Sequence, residues 1–330
     1  MKPIFAVVST DIRRDLVAPM QFFNRLEIVH FYRRTSYGDL TPDDLKPVHI
    51  NYRTPWNLLQ KVWRTHPNIV QGVEPFSIRL LPYTYAIFWI ARFQHIPLVS
   101  VTLENRPLVE KFGAVFSRIL PVALRPVFRY ARLIICLNEG AKRNVLKVGP
   151  YEEKVQKFMY GTWGVDLDEF HPWKNGHEPN FGVGPVLLFV GRLHSEKGVF
   201  DLLDAFAIVK EHVPQATLVL VGEGPARPQI EQMIAGKSWG SSVFLTGAVR
   251  NRDLPPIFRA ADLFVSPSIT TRKWEEQVGM TNIQAMACGV PIVSTRSGAI
   301  PEYVPDGIAG ILVPERNHRA LADAILLLLA

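Results

Sequence analysis

The stretch Glu276–Gly289, with the sequence EQVGMTNIQAMACG, contains residue types suited to binding a phosphorylated small molecule. It begins with a carboxylate, passes Gly279, and then has the Ala- and Met-rich composition of a helix. The start of a helix presents free backbone N–H groups and the positive end of the helix dipole, and both attract anions. We therefore predict a helix over Thr281–Cys288 with a phosphate site at its start.

A second segment, GRLHSEKG at 191–198, places Arg192 and Lys197 directly after a predicted strand, Val186–Val190. Ligands of open α/β sheets bind at the carboxyl ends of the strands. Two cations there can neutralise a diphosphate, with about 1.5–3 kcal/mol from each charge-assisted hydrogen bond. Loop cations alone are more often solvated surface charges, but the presence of Glu276–Gly289 in the same half favours a diphosphate site.

The elements that must position these residues alternate along the chain, which predicts an α/β fold with parallel sheets. In the first half we predict strands over Pro3–Ser9, Arg25–Tyr32, Asn68–Gly72, Pro97–Thr102, Leu133–Leu137 and Lys154–Met159, and helices over Ser77–Arg92, within 107–131 and over Gly140–Val148. In the second half we predict strands over Val186–Val190, Ala216–Val221, Val243–Thr246, Leu263–Pro267, Ile292–Thr295 and Gly310–Val313. The predicted helices between them are Gly198–His212, Pro225–Ile234, Asp253–Ala260 and Thr281–Cys288.

The domain boundaries follow from composition. The Gly-, Pro- and Asn-rich stretch 173–185 has no periodicity and is predicted to be a linker between domains 1–172 and 186–330. The last predicted helix, Arg316–Ala330, ends while its residues are still apolar, so we expect the second domain to be truncated at its C-terminus.

Charge is concentrated in the first half. The net charge is +7, and residues 51–150 hold 14 basic against 4 acidic residues. This favours an anionic partner such as a membrane surface or a phospholipid-linked acceptor, although a solvated basic surface fits equally well. The segment 112–130, FGAVFSRILPVALRPVFRY, fits either an amphipathic helix on a membrane or a helix packed on the core. No recognisable aromatic–basic platform for nucleic acid is present, so we do not expect that partner.

The apolar runs and cysteines bear on location. No run of about 18 uncharged apolar residues exists, so a transmembrane helix is not expected. Cys136 and Cys288 both lie in apolar surroundings, which indicates two core thiols, a reducing compartment and hence a cytoplasmic protein, with peripheral attachment to the inner membrane face left open.

Several segments together resemble the retaining glycosyltransferases of family 4, which have the GT-B fold. They are GRLHSEKG (191–198), LVGEGP (220–225), FLTGAVRNRDLP (244–255), ADLFVSPS (261–268), EQVGMTNIQAMACGVPIVST (276–295), PEYVPDGIAGILVP (301–314) and, in the first half, WGVDLDEF (163–170). The resemblance covers 130–330 and, more thinly, 68–130. It implies two Rossmann-like domains with a cleft between them.

The resemblance also implies an activity: transfer of a sugar, with retention of anomeric configuration, from a nucleotide-diphosphate-sugar donor to an acceptor hydroxyl. The acceptor would be a glycan, a glycolipid or a small molecule. Arg192 and Lys197 match the pair that holds the donor diphosphate and stabilises the leaving phosphate, and Glu276 matches a carboxylate that contacts the transferred sugar. No cofactor and no essential metal are expected.

Further donor contacts are implied at other positions. Val249 lies in the segment that resembles the nucleobase contact. The loop and helix start that approach sugar hydroxyls and phosphate are matched by Gly279, Met280, Thr281 and Asn282. Gln284 matches a position that contacts the donor ribose, where the family usually has a second glutamate.

The chain departs from the family pattern at three places, and the first two keep a second interpretation open. Gln284 replaces a glutamate, and Ser9-Thr10-Asp11 stands where a Gly-rich loop is usual. Glu104 and Asn105 stand where many members have a histidine, and they are candidates for the acceptor side, although an acid at a helix start is an equal alternative. The alternative function is a non-catalytic subunit that binds a nucleotide sugar or a partner.

Overall fold

The computed structural model describes residues 2–35, 40, 45, 48–158, 164–173 and 176–330. The chain divides into two units, Met1–Gly164 and Val165–Ala330. Each unit contains a parallel sheet flanked by helices, which is the architecture of a Rossmann-like domain. The predicted α/β fold with two such domains is confirmed.

The first unit is built around a parallel sheet that has seven strands within the described residues. Its strands are β1 (Ile4–Val8), β2 (Asp11–Ile12), β3 (Glu27–Tyr32), β4 (Arg34–Thr35), β5 (His49–Asn51), β6 (Ile69–Gln71), β7 (Leu98–Thr102), β8 (Leu133–Cys136) and β9 (Val155–Lys157). Its helices are α1 (Arg14–Val17), α2 (Pro55–Arg64), α3 (Leu81–Gln94), α4 (Leu108–Tyr130) and α5 (Glu139–Val148). The strand order is β5-β3-β1-β6-β7-β8-β9, while β2 and β4 pair separately.

Local sequence explains the helix ends in this unit. The Thr54 side chain accepts a hydrogen bond from Asn57 N at 3.1 Å and Pro55 occupies the first turn, so α2 begins at a standard N-cap. Asn138 caps α5 in the same way, through Ala141 N at 2.7 Å. In α4 the backbone leaves helical geometry at Gly113, where φ is 78°, so two helical segments meet at a kink.

The second unit has a six-stranded parallel sheet of order β12-β11-β10-β13-β14-β15 among the described residues. Its strands are β10 (Val186–Val190), β11 (Thr217–Val221), β12 (Val243–Gly247), β13 (Leu263–Ser266), β14 (Ile292–Thr295) and β15 (Gly310–Val313). Its helices are α6 (Val199–His212), α7 (Arg227–Ile234), α8 (Pro255–Arg259), α9 (Met280–Ala287), α10 (Ile300–Tyr303) and α11 (His318–Leu329). Strands β10, β11 and β13 are buried along their whole length, as continuous apolar runs in a two-sided parallel sheet must be.

The chain order reverses between β10 and β13. From β10 the chain moves outward through β11 and β12, and it then returns to the other side of β10 for β13, β14 and β15. Open α/β sheets bind ligands outside the carboxyl ends of the strands at such a switch point. A ligand is therefore expected at the loops after β10 and β13.

The border between the two units differs from the predicted domain boundaries. We expected the first domain to run to residue 172, but Val165–Pro172 belongs to the second unit. Phe170 packs edge-on against Phe258, and Pro172 lies against Gly289. Apolar contacts formed only on folding set this border, and composition does not report them.

The predicted linker also packs on the second unit where it is described. Arg259 is buried, and its Nε donates to Glu178 Oε1 at 2.9 Å. Phe181 contacts the ring of Phe244. A buried guanidinium needs a paired carboxylate, so this part of 173–185 is held to the domain surface. Residues 174–175 of the predicted linker lie outside the described residues.

Other boundaries shift by a few residues. The predicted strand Lys154–Met159 is Val155–Lys157. Its last predicted residue, Met159, lies outside the described residues, as does Trp163, the first residue of the segment 163–170 that resembles the family. Helices α2 and α10 had no predicted counterpart, although Thr54-Pro55 is a recognisable start signal for α2.

Candidate functional site

An ion pair joins the two loops at the switch point of the second sheet. Lys197 follows β10 and Glu276 follows β13, and Lys197 Nζ donates to Glu276 Oε2 at 2.7 Å. The two side chains are 19% and 11% exposed, so little water surrounds the pair. The structure thus brings together two residues that the sequence separates by 79 positions and that we predicted for one site.

Two neighbours complete the surroundings of this pair. Ser268 Oγ donates to the same Glu276 oxygen at 2.9 Å, and Lys197 Nζ lies 4.6 Å from the centroid of the Trp274 ring. Burial by itself raises the pKa of Glu276, but the Lys197 charge and the hydrogen bonds outweigh it and hold this pKa below its ordinary value. Glu276 is therefore an ionised carboxylate at neutral pH.

The loop after β10 owes its course to glycine. Gly198 ends the short turn that carries Lys197 and has a φ of 70°, and a Cβ there would lie 1.8 Å from Pro267 O. Only glycine fits such a left-handed position against another backbone. This close approach of the β10 loop to the end of β13 is what places Lys197 beside Glu276.

Arg192 is the more accessible of the two predicted cations. Its side chain is 46% exposed, and its Nη2 lies 3.6 Å from Glu196 Oε1. His194 Nδ1 lies 2.6 Å from the other Glu196 oxygen. A half-exposed guanidinium with one distant carboxylate retains donors for an incoming anion. Lys197, by contrast, is already paired, and a phosphate would have to compete with Glu276 for it.

Helix α9 begins directly after the Glu276 loop. Gly279 is its N-cap with a φ of 61°, and a Cβ there would lie 2.7 Å from the Tyr303 hydroxyl. Ala299 N donates to Glu276 O at 2.9 Å, which fixes the loop to the segment before α10. Met280 and Thr281 are partly exposed in the first turn, as the prediction of an anion-binding helix start requires.

Two residues predicted to contact the donor, Asn282 and Gln284, are buried in this structure, and their donor contacts stay predictions. Asn282 is 1% exposed, and its Oδ1 accepts from Ser266 Oγ at 2.5 Å, which ties α9 to β13. Gln284 is 3% exposed. Residues two apart on a helix point about 200° apart, so these two side chains are buried on different sides of α9.

Sequence reasoning missed the residues that shape the Glu276 loop. Glu315 follows β15, and its carboxylate accepts from both Thr270 N and Thr270 Oγ1 at 2.6 Å. Trp274 closes a tight turn in which Thr271 N donates to Trp274 O at 2.7 Å. The position of Glu315 at the carboxyl end of a strand could have marked it as a site residue. Its hydrogen-bond partner, 45 residues away, could not be predicted from the sequence.

Val249 lies in the loop after β12, the outer strand of the same sheet. Since the strands are parallel, this loop shares the carboxyl edge with Arg192, Lys197 and Glu276. Val249 is partly exposed there. Two strand spacings, roughly 10 Å, separate β12 from β10, which leaves room for a nucleoside between Val249 and the ion pair.

In the first unit, Glu104 and Asn105 form the buried loop after β7. The Glu104 carboxylate forms an ion pair with Lys111, and its Oε1 accepts a hydrogen bond from Arg106 N at 3.2 Å. Asn144 Nδ2 donates to both Glu104 O and Arg106 O. These contacts give Glu104 a role in holding the loop, and its predicted acceptor contact stays a prediction.

A further carboxylate, Glu74, was not predicted. It follows β6 and accepts from Phe76 N, Thr102 Oγ1 and Leu103 N. Burial is the main cause that raises the pKa of Glu74 to about 7, and the nearby Glu104 charge adds to it, while the three hydrogen bonds act in the opposite direction.

The described residues contain no group of three or more His, Cys, Asp or Glu side chains arranged to hold a metal ion. In the same part of the chain, no helix has both the length and the apolar character needed to cross a bilayer.

Comparison with known proteins gives its clearest match over the second unit. Residues 184–330 match the family model described as glycosyl transferases group 1. The chain is 26% identical over 246 residues to an alpha-D-kanosaminyltransferase from Streptomyces kanamyceticus, covering 72% of this chain and 62% of that protein. It is 33% identical over 169 residues to a GDP-mannose-dependent alpha-(1-6)-phosphatidylinositol monomannoside mannosyltransferase from Mycolicibacterium smegmatis, covering 49% of this chain and 44% of that protein. The chain thus spans between 44% and 62% of the length of these relatives.

Solved structures agree on the fold over nearly the whole chain. Anabaena Alr3699/HepE in complex with UDP-glucose is similar with a TM-score of 0.70 at 19% identity, covering 98% of this chain and 89% of that one. A glycosyltransferase from Rickettsia africae gives a TM-score of 0.74 at 16% identity, covering 99% and 88%. At these identities the likeness concerns the fold, which is the GT-B fold of these glycosyltransferases.

Proposed function

We propose that this chain is a retaining glycosyltransferase of the hexosyltransferase type. It moves a sugar from a nucleotide-diphosphate-sugar donor to the hydroxyl of a glycan, glycolipid or small-molecule acceptor. The observation that carries the proposal is the Lys197–Glu276 pair at the switch point of a sheet whose sequence matches group 1 glycosyltransferases. Named relatives that act on kanosaminyl or mannosyl groups support the sugar-transfer chemistry.

Each residue at the site has a chemical task under this proposal. Arg192 binds the donor diphosphate through its exposed guanidinium, and Lys197 joins it as negative charge grows on the leaving phosphate. The backbone N–H groups at the start of α9, around Met280 and Thr281, contribute further donors. Val249 borders the nucleobase.

Glu276 has a separate task. Its carboxylate is ionised and held by Lys197 and Ser268, so it can accept hydrogen bonds from sugar hydroxyls without moving. A carboxylate has about four acceptor sites, so Glu276 can accept a hydrogen bond from a sugar hydroxyl in addition to those from Lys197, Ser268 and the Gln277 backbone. The leaving phosphate itself then receives the acceptor proton, which is the front-face route to retention.

The acceptor side belongs to the first unit under this proposal. Its sheet has its own switch point between β1 and β6, and Glu74 follows β6 there. The carboxylates of Glu74 and Glu104 and the amide of Asn105 offer acceptors for hydroxyl groups. We place the protein in the cytoplasm.

The alternative is a non-catalytic subunit that binds a nucleotide sugar. The replacement of a glutamate by Gln284 favours it, because a neutral amide holds a donor less strongly than a carboxylate does. The two functions differ in turnover: an enzyme consumes the donor sugar, whereas a binding subunit binds the donor without consuming it.

The experiment measures release of nucleoside diphosphate from a panel of UDP-, GDP- and ADP-sugars by wild type, Glu276→Gln and a control, Glu302→Gln. The proposal predicts turnover of one donor class, a loss of at least about a hundredfold in Glu276→Gln, as for loss of one preorganised group at a reacting centre, and little change in the control. Proton NMR of the product then reports the anomeric configuration. An inverted product refutes retention, and binding without turnover on any donor favours the subunit.

A further inference from the structure

Three helices of the first unit lie side by side on one face of its sheet. Gln94 Nε2 at the end of α3 donates to Trp63 O of α2 at 3.3 Å. Tyr130 OH at the end of α4 donates to Ala91 O of α3 at 2.7 Å. Helices α3 and α4 connect β6 to β7 and β7 to β8 in the same direction, and right-handed crossovers place both on the same face.

This helical layer exposes large apolar side chains on all three helices. Each is between 41% and 66% exposed; they are Trp56 and Trp63 on α2, Trp89 and Phe93 on α3, and Val115, Phe116, Ile119 and Val122 on α4. We refer to these eight residues as the apolar surface. The rings of Trp89 and Phe93 stack on one another with centroids 5.4 Å apart. Single exposed apolar residues are ordinary, but a set of this size on adjacent helices marks an interaction site.

The pattern along α4 is that of a helix lying at an interface. Val115, Ile119 and Val122 are spaced by four and three residues and so share one side. The opposite side is buried in the core through Leu120, Leu124, Val127 and Phe128. Core packing therefore uses one face of this helix and leaves a second apolar stripe in solvent.

Arginines border that stripe. At 100° per residue, Arg118, Arg125 and Arg129 fall together on one flank of the Val115–Ile119–Val122 side, and all three are exposed. An apolar stripe bordered by cations is typical of helices that lie in the headgroup region of a bilayer. Long arginine side chains can reach lipid phosphates while the stripe enters the acyl boundary.

The charge of the layer decides between possible occupants. Helices α2 and α3 and residues 114–130 of α4 contain no Asp or Glu, whereas they contain Lys61, Arg64, Arg92, Arg118, Arg125 and Arg129. A second copy packed symmetrically on this layer would bring like charges together, which costs energy. An anionic surface that also accepts apolar side chains satisfies both features at once.

We propose that the apolar surface and its arginines dock this protein on a bilayer that contains anionic lipid. Tryptophan rings at 56, 63 and 89 lie at the headgroup level, where such rings are favoured. The protein lies on the membrane and does not cross it. The docking surface includes none of the residues assigned to sugar transfer, so membrane binding can be tested independently of that activity.

The test is co-sedimentation of the full chain with vesicles of phosphatidylcholine alone and of phosphatidylcholine mixed with phosphatidylglycerol. We expect binding to the mixed vesicles that weakens with added salt and is much weaker on phosphatidylcholine alone. Arg118→Gln/Arg129→Gln should weaken binding about thirtyfold, since each surface cation contributes about fivefold, or about 1 kcal/mol. Phe116→Ser/Ile119→Ser should weaken it at least as strongly.

The control carries matched changes away from the surface: Ile308→Ser/Leu327→Ser in the second unit, which are also highly exposed. It should bind vesicles like wild type, and thermal melts should show that every variant is folded. Absence of binding by folded wild type, or equal losses in the control, overturns the proposal. Light scattering that shows a dimer abolished by Phe116→Ser/Ile119→Ser, without vesicle binding, assigns the surface to a second copy instead. Nucleotide binding by the surface variants should equal that of wild type in every case.

Discussion

Replacing Lys197 by methionine should destabilise the second unit and raise the pKa of Glu276, which in wild type lies below its ordinary value. In wild type, Lys197 Nζ lies 2.7 Å from Glu276 Oε2, and the Ser268 hydroxyl also donates to that oxygen. Methionine keeps most of the volume but removes the cation, so a buried carboxylate loses its counter-ion. Breaking a buried pair from one side costs about 3–5 kcal/mol, and the partial exposure of both side chains favours the lower end, about 3 kcal/mol.

The pH dependence follows from the direction of the Glu276 pKa. Since this pKa lies below its ordinary value of 4.5, ionised Glu276 stabilises the fold above that value, and the contribution is lost as pH falls through the lower folded pKa. Without Lys197, burial dominates and raises the pKa. The stability difference between wild type and Lys197→Met should therefore shrink as the carboxyl becomes protonated.

The assay is urea unfolding followed by circular dichroism at about pH 8 and about pH 5. Lys197→Met/Glu276→Gln should recover most of the lost stability, because no uncompensated charge remains, and Lys237→Met is the control for loss of an exposed lysine. A cost within about 0.5 kcal/mol of the control at both pH values would mean that solvent screens the pair like a surface salt bridge, and the reasoning would be refuted.

Three further substitutions test other parts of the structure. Because burial raises the pKa of Glu74 to about 7, the free energy of unfolding should fall by up to about 3 kcal/mol as pH rises from about 4.5 to about 7. Glu74→Gln should remove this pH dependence in unfolding experiments. Gly198→Ala should lower the free energy of unfolding by at least about 2 kcal/mol more than Gly236→Ala does in the same measurement. Both glycines have a positive φ, but only at Gly198 would the added Cβ meet a backbone atom. Trp274→Ala should weaken donor binding a fewfold in calorimetry, because a ring beside Lys197 contributes roughly 0.5–1 kcal/mol, and Trp274→Phe should bind like wild type. Equal binding by wild type and both variants would show that the ring has no role in donor binding.

Sequence alone predicted the strands well because buried parallel strands are short apolar runs. Leu263–Ser266 and Ile292–Thr295 are buried along their whole length, and turn residues bound them. The loops that end in Arg192, Lys197 and Glu276 follow such strands, so their shared edge could also be predicted. Helix α2 could have been predicted from Thr54-Pro55, but its amphipathic pattern was obscured by exposed tryptophans.

Pairings between distant residues were not readable. The bond from Lys197 to Glu276 and that from Thr270 to Glu315 depend on which loops the folded sheet brings together. The predicted donor contact of Asn282 stays a prediction, and the hydrogen bond from Ser266 that fixes α9 to β13 could not be predicted from sequence. The same side-chain types serve binding and internal hydrogen bonding, and only the direction in which a helix buries its face distinguishes them.

The most direct test of the proposed donor site is calorimetric titration of UDP, GDP and ADP into wild type, Arg192→Ala and Lys237→Ala. Arg192 is exposed, so its removal should leave the fold intact, and Lys237 is an exposed cation in the loop before β12, at the opposite edge of the sheet. We predict that one nucleotide binds wild type and the Lys237 variant alike, and binds Arg192→Ala at least about tenfold more weakly, a loss of about 1.4 kcal/mol. No binding of any of the three nucleotides by folded wild type, or equal binding by all three proteins, would contradict the assignment of this edge as a diphosphate site.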